Sequence, residues 1–366
     1  MPRPCAGASA STDQRPTLHK RKDVTERPPF ELGPIRPVAE ANSLLIRTTR
    51  GCPWNKCDFC VNYQDMTFSM RKVDEIRADI EAAADYYQGH PFTSCFLQDG
   101  DSFLMKTSQL LEVLACIRQH FPTLERITSY GRAATMVRRT PQEMKEIADA
   151  GLNRLYCGME SGSDTILERI HKGTTVADII KAGRMARDAG MEISEFLIVG
   201  LGGRELWEEN ATQTALALNE IDPHFIRVRT IGVKVGSRLE QTWQGGGYVL
   251  QSETELIREQ RLLAEGLEGV SGYYSNDHAV NLLMEVEGQM MEAKPEILAI
   301  LDRYLGMPEE EMNHFALGRR LNTYGRLDDM AVPQRRAQAL HQVAEIERSY
   351  PGKTDEICHH LRERVV

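Results

Sequence analysis

The stretch SLLIRTTRGCPWNKCDFC, residues 43–60, joins an apolar segment to a loop that holds three cysteines. The apolar segment at residues 43–49 has the length and composition of a buried β-strand. Cys52, Cys57 and Cys60 follow it, with four residues between the first two and two residues between the last two. The loop therefore comes at the carboxyl end of the first predicted strand, and the segments that follow decide which kind of sheet this strand joins.

These later segments alternate between amphipathic helices and short apolar strands. Predicted strands cover residues 94–98, 126–130, 154–160, 192–200 and 225–232, and predicted helices cover residues 73–87, 108–121, 141–151, 176–190 and 205–221. Thr140 and Glu143 form a capping box around Pro141, which marks a helix start. Alternation of this kind predicts an α/β fold with parallel strands and right-handed crossovers. The pattern does not decide between an open sheet and a barrel, but both gather the carboxyl ends of the strands on one ligand-binding rim.

The chain of 366 residues divides into three parts by composition. Residues 1–42 are rich in Pro, Ser, Thr and charged residues and lack an apolar period, which predicts a partly disordered N-terminal arm. The strand–helix alternation fills residues 43–235. Residues 236–366 contain mostly amphipathic helical patterns, which predicts a mostly helical C-terminal region.

Charge and cysteine content limit which binding partners and which cellular compartment we expect. The chain carries 53 acidic and 44 basic side chains, a formal net charge of −9, so it has no general attraction for a phosphate backbone. We therefore expect a small-molecule substrate rather than a nucleic acid. Eight cysteines are too few for a disulfide scaffold, which favours reduced thiols and a cytoplasmic location. The longest apolar stretches are too short to span a membrane.

Four explanations of the clustered thiols are open at this stage. Buried cysteines pack as small hydrophobes, but Asn55, Lys56 and Asp58 make this loop polar. A structural zinc site would need a fourth ligand from a second short pair. A ferredoxin-type electron carrier could take Cys95 as its fourth ligand, although Cys95 falls within the apolar strand at residues 94–98. Finally, three thiolates could hold a cluster with one iron left open for an external ligand, the arrangement of a site that does chemistry.

The last explanation agrees with a family resemblance that covers residues 43–235. The CX4CX2C loop with Phe59 before its third cysteine, the segment YCGMESGSDTILERIHKG at residues 156–173, and FLIVGLGG at residues 196–203 resemble the radical S-adenosylmethionine (radical SAM) superfamily. The resembling branch contains the oxygen-independent coproporphyrinogen oxidase-like and methylthiotransferase-like enzymes. The loop departs from the commonest family spacing, CX3CX2C, by one residue.

The resemblance implies a fold, two cofactors and a reaction. The fold would be a partial (β/α)6 barrel, related to a TIM barrel, and the cofactors would be a [4Fe-4S] cluster and S-adenosylmethionine (SAM). Reductive cleavage of SAM would start radical chemistry on a substrate that the sequence does not identify. A flavodoxin or ferredoxin is the implied reductant, and the oligomeric state is not indicated.

The resemblance also implies roles for individual residues. Cys52, Cys57 and Cys60 would bind the cluster. The residues implied in cofactor binding follow the strand ends and are Phe59, Asp99, Gly100, Asp101, Ser129, Glu160, Lys172 and Gly200. No catalytic residue is implied beyond these.

Two further groups of residues carry expectations from the residues alone. Arg227 and Arg229 alternate on the last predicted strand, where they could face an anionic substrate inside a barrel or could be solvated or ion-paired. Cys358, His359 and His360 are consecutive on a predicted helix, where neighbouring side chains diverge, so we expect surface residues rather than a metal site.

Overall fold

The computed structural model describes residues 28–365. Most of the predicted N-terminal arm therefore lies outside the described residues. No helix in the described range is long and apolar enough to cross a membrane.

Parallel strands form the centre of the molecule. The strands are β1 (Leu44–Arg47), β2 (Thr49–Arg50), β3 (Ser69–Met70), β4 (Ser94–Gln98), β5 (Arg126–Tyr130), β6 (Leu152–Glu160), β7 (Glu192–Val199), β8 (Phe225–Thr230), β9 (Tyr273–Ser275) and β10 (Gly288–Gln289). One sheet has the order β1-β4-β5-β6-β7-β8-β9-β10, in which all neighbours are parallel except β9 and β10. β2 and β3 form a separate antiparallel pair at the two ends of the cysteine loop.

Helices connect the parallel strands and fill the C-terminal region. The helices are α1 (Val73–Tyr86), α2 (Thr107–His120), α3 (Ala133–Met136), α4 (Pro141–Asp149), α5 (Asp164–Arg169), α6 (Val176–Asp188), α7 (Trp207–Ile221), α8 (Arg238–Gln244), α9 (Glu253–Gly266), α10 (Met290–Leu305), α11 (Glu309–Arg320), α12 (Pro333–Ser349) and α13 (Thr354–Glu363). Short 3-10 helices cover Val38–Glu40, Ser102–Leu104 and Leu327–Ala331.

The predicted α/β fold is confirmed, and several boundaries agree with the sequence pattern. β4 and β5 cover the residues predicted for the second and third strands. At the start of α4, Thr140 accepts a hydrogen bond from the backbone of Glu143, and Glu143 in turn accepts one from Thr140. Capping and periodicity are local signals, which is why they placed these elements correctly.

The two faces of the curved sheet differ in their side chains. The outer face packs apolar residues such as Cys95, Ile127 and Leu155 into one core with the surrounding helices. On the inner face, aromatic rings contact one another across neighbouring strands. The ring centroids of Phe96 and Tyr130 are 5.1 Å apart, and those of Tyr156 and Phe196 are 6.0 Å apart. The interior of the partial barrel is therefore lined by aromatic side chains.

The sheet continues beyond the residues predicted for the core. β9 adds a seventh parallel strand next to β8, although its residues belong to the region predicted to be mostly helical. This strand is only three residues long, too short to give a period-2 signal in the sequence. The division of the chain at residue 235 stays a prediction.

The expectation of a surface position for residues 358–360 was wrong for two of them. Cys358 and His359 are buried, whereas His360 is exposed. His359 packs edge-on against Trp243, with 5.0 Å between the ring centroids. The side chains do diverge as expected, but other elements cover this face of α13, and only the tertiary structure shows that cover.

A buried charge network attaches the C-terminal helices to α9. Glu253 accepts hydrogen bonds from Arg320 at 2.7 Å and from Arg362 at 2.7 Å, and each of the three side chains is less than 5% exposed. Burial opposes the ionisation of Glu253, but the two guanidinium groups outweigh it and lower the pKa of Glu253 to about 2. Glu253 is the carboxylate that both arginines share, so losing it would leave two buried guanidinium groups without this partner.

We predict that Glu253→Gln makes the protein less stable and less sensitive to acid. A carboxyl with a pKa of about 2 in the folded state and 4.5 in the unfolded state stabilises the fold above about pH 4.5 and loses this contribution as the pH falls toward 2. Urea unfolding should show that E253Q is less stable at pH 6 and loses about 2 kcal/mol less between pH 6 and pH 3 than the wild type. Glu268→Gln, at an exposed position, is the control and should follow the wild type.

Candidate cluster and cofactor site

The three loop cysteines line one cavity at the carboxyl rim of the sheet. The cavity has a volume of about 270 Å³ and is bounded by the cysteine loop, by the ends of β5, β6 and β7, and by Arg229 of β8. Cys52, Cys57 and Cys60 are all partly exposed in it. Burial raises the pKa of Cys57 and raises that of Cys60 to about 11, so a bound metal centre would be needed to hold them as thiolates at neutral pH.

Seven of the eleven predicted site residues line this cavity. They are Cys52, Cys57, Phe59, Cys60, Gly100, Glu160 and Lys172. These residues come from the cysteine loop, from the end of β6 and from the segments after β4 and α5. Their convergence follows from the parallel sheet, because each segment leaves a strand at the same rim.

Gly100 permits close contact between the end of β4 and the cysteine loop. Its amide donates to the carbonyl of Gly51 at 3.3 Å. A Cβ atom at this position would lie 2.9 Å from the Cβ of Cys52, closer than carbon atoms pack. Glycine is therefore required here for the first cysteine to take its place.

Glu160 and Lys172 form an ion pair in the wall of the same cavity. Lys172 Nζ lies 2.7 Å from Glu160 Oε1, and both side chains are nearly buried. Burial opposes the charge on Lys172, but the charge of Glu160 outweighs it and raises the pKa of Lys172 above the ordinary value. Gly158 leaves the space for this pair, because a Cβ there would lie 2.2 Å from Glu160 Oε1 and 3.0 Å from Lys172 Nζ.

The other four predicted residues lie behind the wall and have partners in the protein. Asp99 accepts from Arg47, with Nε at 2.5 Å. Asp101 accepts from Thr135 Oγ1 at 2.5 Å, and burial raises its pKa to about 6. Ser129 donates to the carbonyl of Tyr130 at 2.9 Å.

Gly200, the last of these four residues, turns the chain after β7 with a φ of +90°. Its amide donates to Glu259 at 2.9 Å, and its carbonyl accepts from Tyr248. Contacts of Gly200, Asp99, Asp101 and Ser129 with SAM stay predictions. Their observed contacts hold the strand ends that form the wall.

Trp54, inside the four-residue spacer of the cysteine loop, was missed by the sequence reasoning. Its Nε1 donates to the carbonyl of His171 at 2.6 Å, and its ring packs against Gly173. A Cβ on Gly173, whose φ is +68°, would lie 2.2 Å from the ring. Trp54 thus docks the cysteine loop on the two residues that flank Lys172. An aromatic side chain in the spacer was the available signal.

Asp58 makes a second connection between the same two segments. Its amide donates to the carbonyl of Ile170 at 3.0 Å, and its Oδ2 lies 3.0 Å from His171 Nδ1. Its carbonyl accepts from the amide of Leu239 at 2.9 Å, which brings the start of α8 to the loop. The cysteine loop is therefore fixed on two sides.

Backbone strain concentrates around the cavity. Six non-glycine residues of the described chain have positive φ, and four of them, Asn55, Asp99, Glu160 and His171, belong to the segments that form this site. Such conformations cost free energy and persist where the surrounding structure enforces them, often at functional sites. At Glu160 the strain accompanies an irregularity in the pairing of β6 with β7 after Gly158.

Comparison with known proteins agrees with this geometry. Residues 46–215 match the family described as the Radical SAM superfamily. This segment of the chain therefore belongs to the radical SAM superfamily, whose enzymes use a [4Fe-4S] cluster and SAM. The suspected resemblance, the fold class and the cofactors of the family are thereby confirmed.

Individual relatives are distant and match only part of the chain. A tRNA uridine(34) acetyltransferase of Methanocaldococcus jannaschii is 26% identical over 32% of this chain and 22% of its own length. An uncharacterized methyltransferase of Pyrococcus horikoshii is 28% identical over 46% of this chain and 35% of its own length. Among solved structures, the radical SAM methyltransferase TsrM of Kitasatospora setae, with cobalamin and a [4Fe-4S] cluster bound, is 18% identical with a TM-score of 0.46, covering 58% of this chain and 39% of that one. The chain therefore spans about a fifth to a third of the length of these curated relatives.

We predict that Gly173→Ala displaces Trp54 and destabilises the protein by about 2–4 kcal/mol, because backbone strain adds to a clash with the ring. Gly190→Ala is a matched control. Gly190 also has a positive φ, +85°, but a Cβ there would meet nothing within 4 Å. It should cost only the backbone strain, about 1 kcal/mol. Urea unfolding measures both values, and equal losses would contradict the proposed docking of Trp54 on Gly173.

Proposed function

We propose that the protein is a radical SAM enzyme that binds a [4Fe-4S] cluster through Cys52, Cys57 and Cys60 and cleaves SAM reductively to start radical chemistry. One observation carries this proposal. Among the described residues that line the 270 Å³ cavity, Cys52, Cys57 and Cys60 are the only cysteines. Three thiolates would leave one iron of a four-iron cluster without a protein ligand, and SAM would bind at that iron. When bound, the cluster supplies the electron that cleaves the sulfonium. The residues of the chain would bind the cluster, orient SAM and enclose the reaction.

The residues present fit such a cluster. Three thiols face one cavity, and Gly100 allows the end of β4 to approach the first of them. Tyr63 adds a buried hydroxyl beside the loop that has no hydrogen-bond partner among the described residues. A polar group left without a partner at this wall favours a polar occupant of the cavity.

Lys172 is proposed to bind the carboxylate of SAM, and Glu160 is proposed to face the ribose and the cationic sulfonium side of SAM. Lys172 carries the charge that a carboxylate requires, and Glu160 can accept from an ammonium or a ribose hydroxyl. Their mutual ion pair keeps both side chains oriented toward the cavity. Such a pair can exchange partners when a ligand with both charges enters.

The inner wall supports a small-molecule substrate with an apolar portion. Tyr130, Tyr156 and Phe196 line the cavity from β5, β6 and β7. Arg229 lines it as well and lies 3.4 Å from Asp277, its carboxylate partner. Aromatic walls exclude water from a radical intermediate, and Arg229 offers a cation for an anionic substituent. A flavodoxin or ferredoxin as reductant and a cytoplasmic location belong to the same proposal.

The two alternatives from the sequence receive less support. For a ferredoxin-type carrier, Cys95 would have to complete the cluster, but it is fully buried in the apolar core on the outer face of the sheet. For a zinc protein, three ligands should converge on one ion. Within residues 28–365 no three His, Cys, Asp or Glu side chains are grouped to hold a single metal ion.

We predict that Cys52→Ala, Cys57→Ala and Cys60→Ala each abolish cluster assembly, whereas Cys95→Ala leaves it intact. After anaerobic reconstitution, the wild type and C95A should contain about four irons per chain and show a reduced-cluster EPR signal that changes when SAM is added. Both should release 5′-deoxyadenosine with dithionite. Loss of the cluster in C95A would favour the electron carrier, and a cluster whose EPR signal ignores SAM would refute the enzyme proposal.

We predict that Lys172→Met weakens SAM binding by about 10- to 100-fold, because a charge-assisted contact to the carboxylate is lost. The cluster should still assemble, since Lys172 is not a ligand. K172M leaves the buried carboxylate of Glu160 without its ion-pair partner. The double variant E160Q/K172M removes this carboxylate as well and therefore controls for the cost of its burial. Lys181→Met, on the exposed face of α6, should bind SAM like the wild type. Equilibrium dialysis of the reconstituted proteins measures the affinities, and unchanged affinity in K172M would reject this role.

A further inference from the structure

A second cavity lies outside the barrel, between the segment before β10, the C-terminal end of α11 and the start of α12. Its volume is about 730 Å³, within the range of small-molecule sites. Three arginines and two glutamates line it: Arg319, Arg326, Arg335, Glu285 and Glu287. Neither the cysteine loop nor any other part of the cofactor site contributes to this wall.

Arg319 is buried here without a carboxylate partner. Only 7% of the residue is exposed, and Nε has no hydrogen bond within the described chain. The contact recorded for Nη2 is the thioether sulfur of Met284 at 2.8 Å, a weak acceptor. Burial lowers the pKa of Arg319 and the charge of Arg320 lowers it further, whereas the charges of Glu285 and Glu253 oppose this shift only in part. The adjacent Arg320, by contrast, is paired with Glu253 at 2.7 Å.

Glu285 offers the complementary group on the same wall. Its Oε1 accepts from the amide of Leu327 at 2.7 Å, which fixes the carboxylate in place. Its Oε2 is buried and has no hydrogen-bond partner among residues 28–365. Arg319 and Glu285 do not form an ion pair with each other in the described structure, so the wall presents a cationic donor and an anionic acceptor, both unsatisfied.

The remaining charged residues of the wall differ from this pair. Arg335 is paired with Asp329 and is exposed, and Arg326 is exposed to solvent. Glu287 is exposed to solvent. Buried polar groups in native proteins are nearly always hydrogen-bonded, and an unpaired buried charge is especially costly. A ligand that carries both an anionic and a cationic group would satisfy Arg319 and Glu285 together.

We propose that this cavity binds a free amino acid or a similar small zwitterion, with its carboxylate on Arg319 and its ammonium on Glu285. A compound with only one of these charges would leave the other protein group unsatisfied. This site is independent of the cluster and of SAM cleavage, so it does not depend on the function proposed above.

The test is calorimetric titration of the full-length, cluster-loaded protein with each of the twenty standard L-amino acids in turn. At least one should bind the wild type, and the carboxylic acid that lacks its α-amino group should bind at least tenfold more weakly. Arg319→Met should lower the affinity for that amino acid roughly 10- to 150-fold. Arg348→Met, which removes an exposed arginine outside this cavity, is the matched control.

Glu285→Gln tests the second half of the pair without changing its shape. A side-chain amide can still accept from Leu327 but presents a donor to the ammonium, so E285Q should lose the preference for the amino acid over its deaminated counterpart. Failure of all twenty amino acids to bind the wild type at about 10 mM, or equal affinity in R319M, overturns the proposal. Without ligand, R319M should melt no lower than R348M, because Arg319 has no internal ion pair to lose.

Discussion

The parallel pairing of successive strands is the constraint on which the rest of this structure depends. Each crossover returns the chain to the same edge of the sheet, so every loop that leaves a strand emerges on one rim. The cysteine loop, the turn at Gly100 and the Glu160 bulge are distant in the sequence, yet all three line one cavity for this reason. A change of pairing direction at any of these strands would move its loop to the other end of the barrel.

Within that rim, polar residues are divided between those that build the wall and those that face the cavity. Asp99 and Asp101 are satisfied by Arg47 and Thr135, and therefore fix the end of β4. Lys172 and Glu160 are satisfied mainly by each other and stay at the cavity surface. The distinction matters because a residue already bonded within the protein must break a contact before it can bind a ligand.

The cysteine loop illustrates how packing fixes a flexible spacing. Trp54 and Asp58 attach it to the turn at residues 170–173, which also carries Lys172. The four-residue spacer thus does more than separate two cysteines, because it connects the cysteine loop to a predicted SAM contact. Within this spacer, Asn55 has a left-handed backbone with a φ of +46°.

The sequence alone determined the alternation of strands and helices, the capping of α4, and the position of three cysteines after the first strand, since these depend on local periodicity and local hydrogen bonding. It could not determine that Asp99 and Asp101 lie behind the wall, that His359 is buried against Trp243, or that β9 joins the sheet. Those outcomes depend on which surfaces meet across tens or hundreds of residues, and burial of a side chain is a property of its neighbours in space. Only the tertiary structure shows that Arg319 and Glu285 lie in one cavity wall. The two residues belong to separate segments, and no sequence pattern shows that both lack an ion-pair partner.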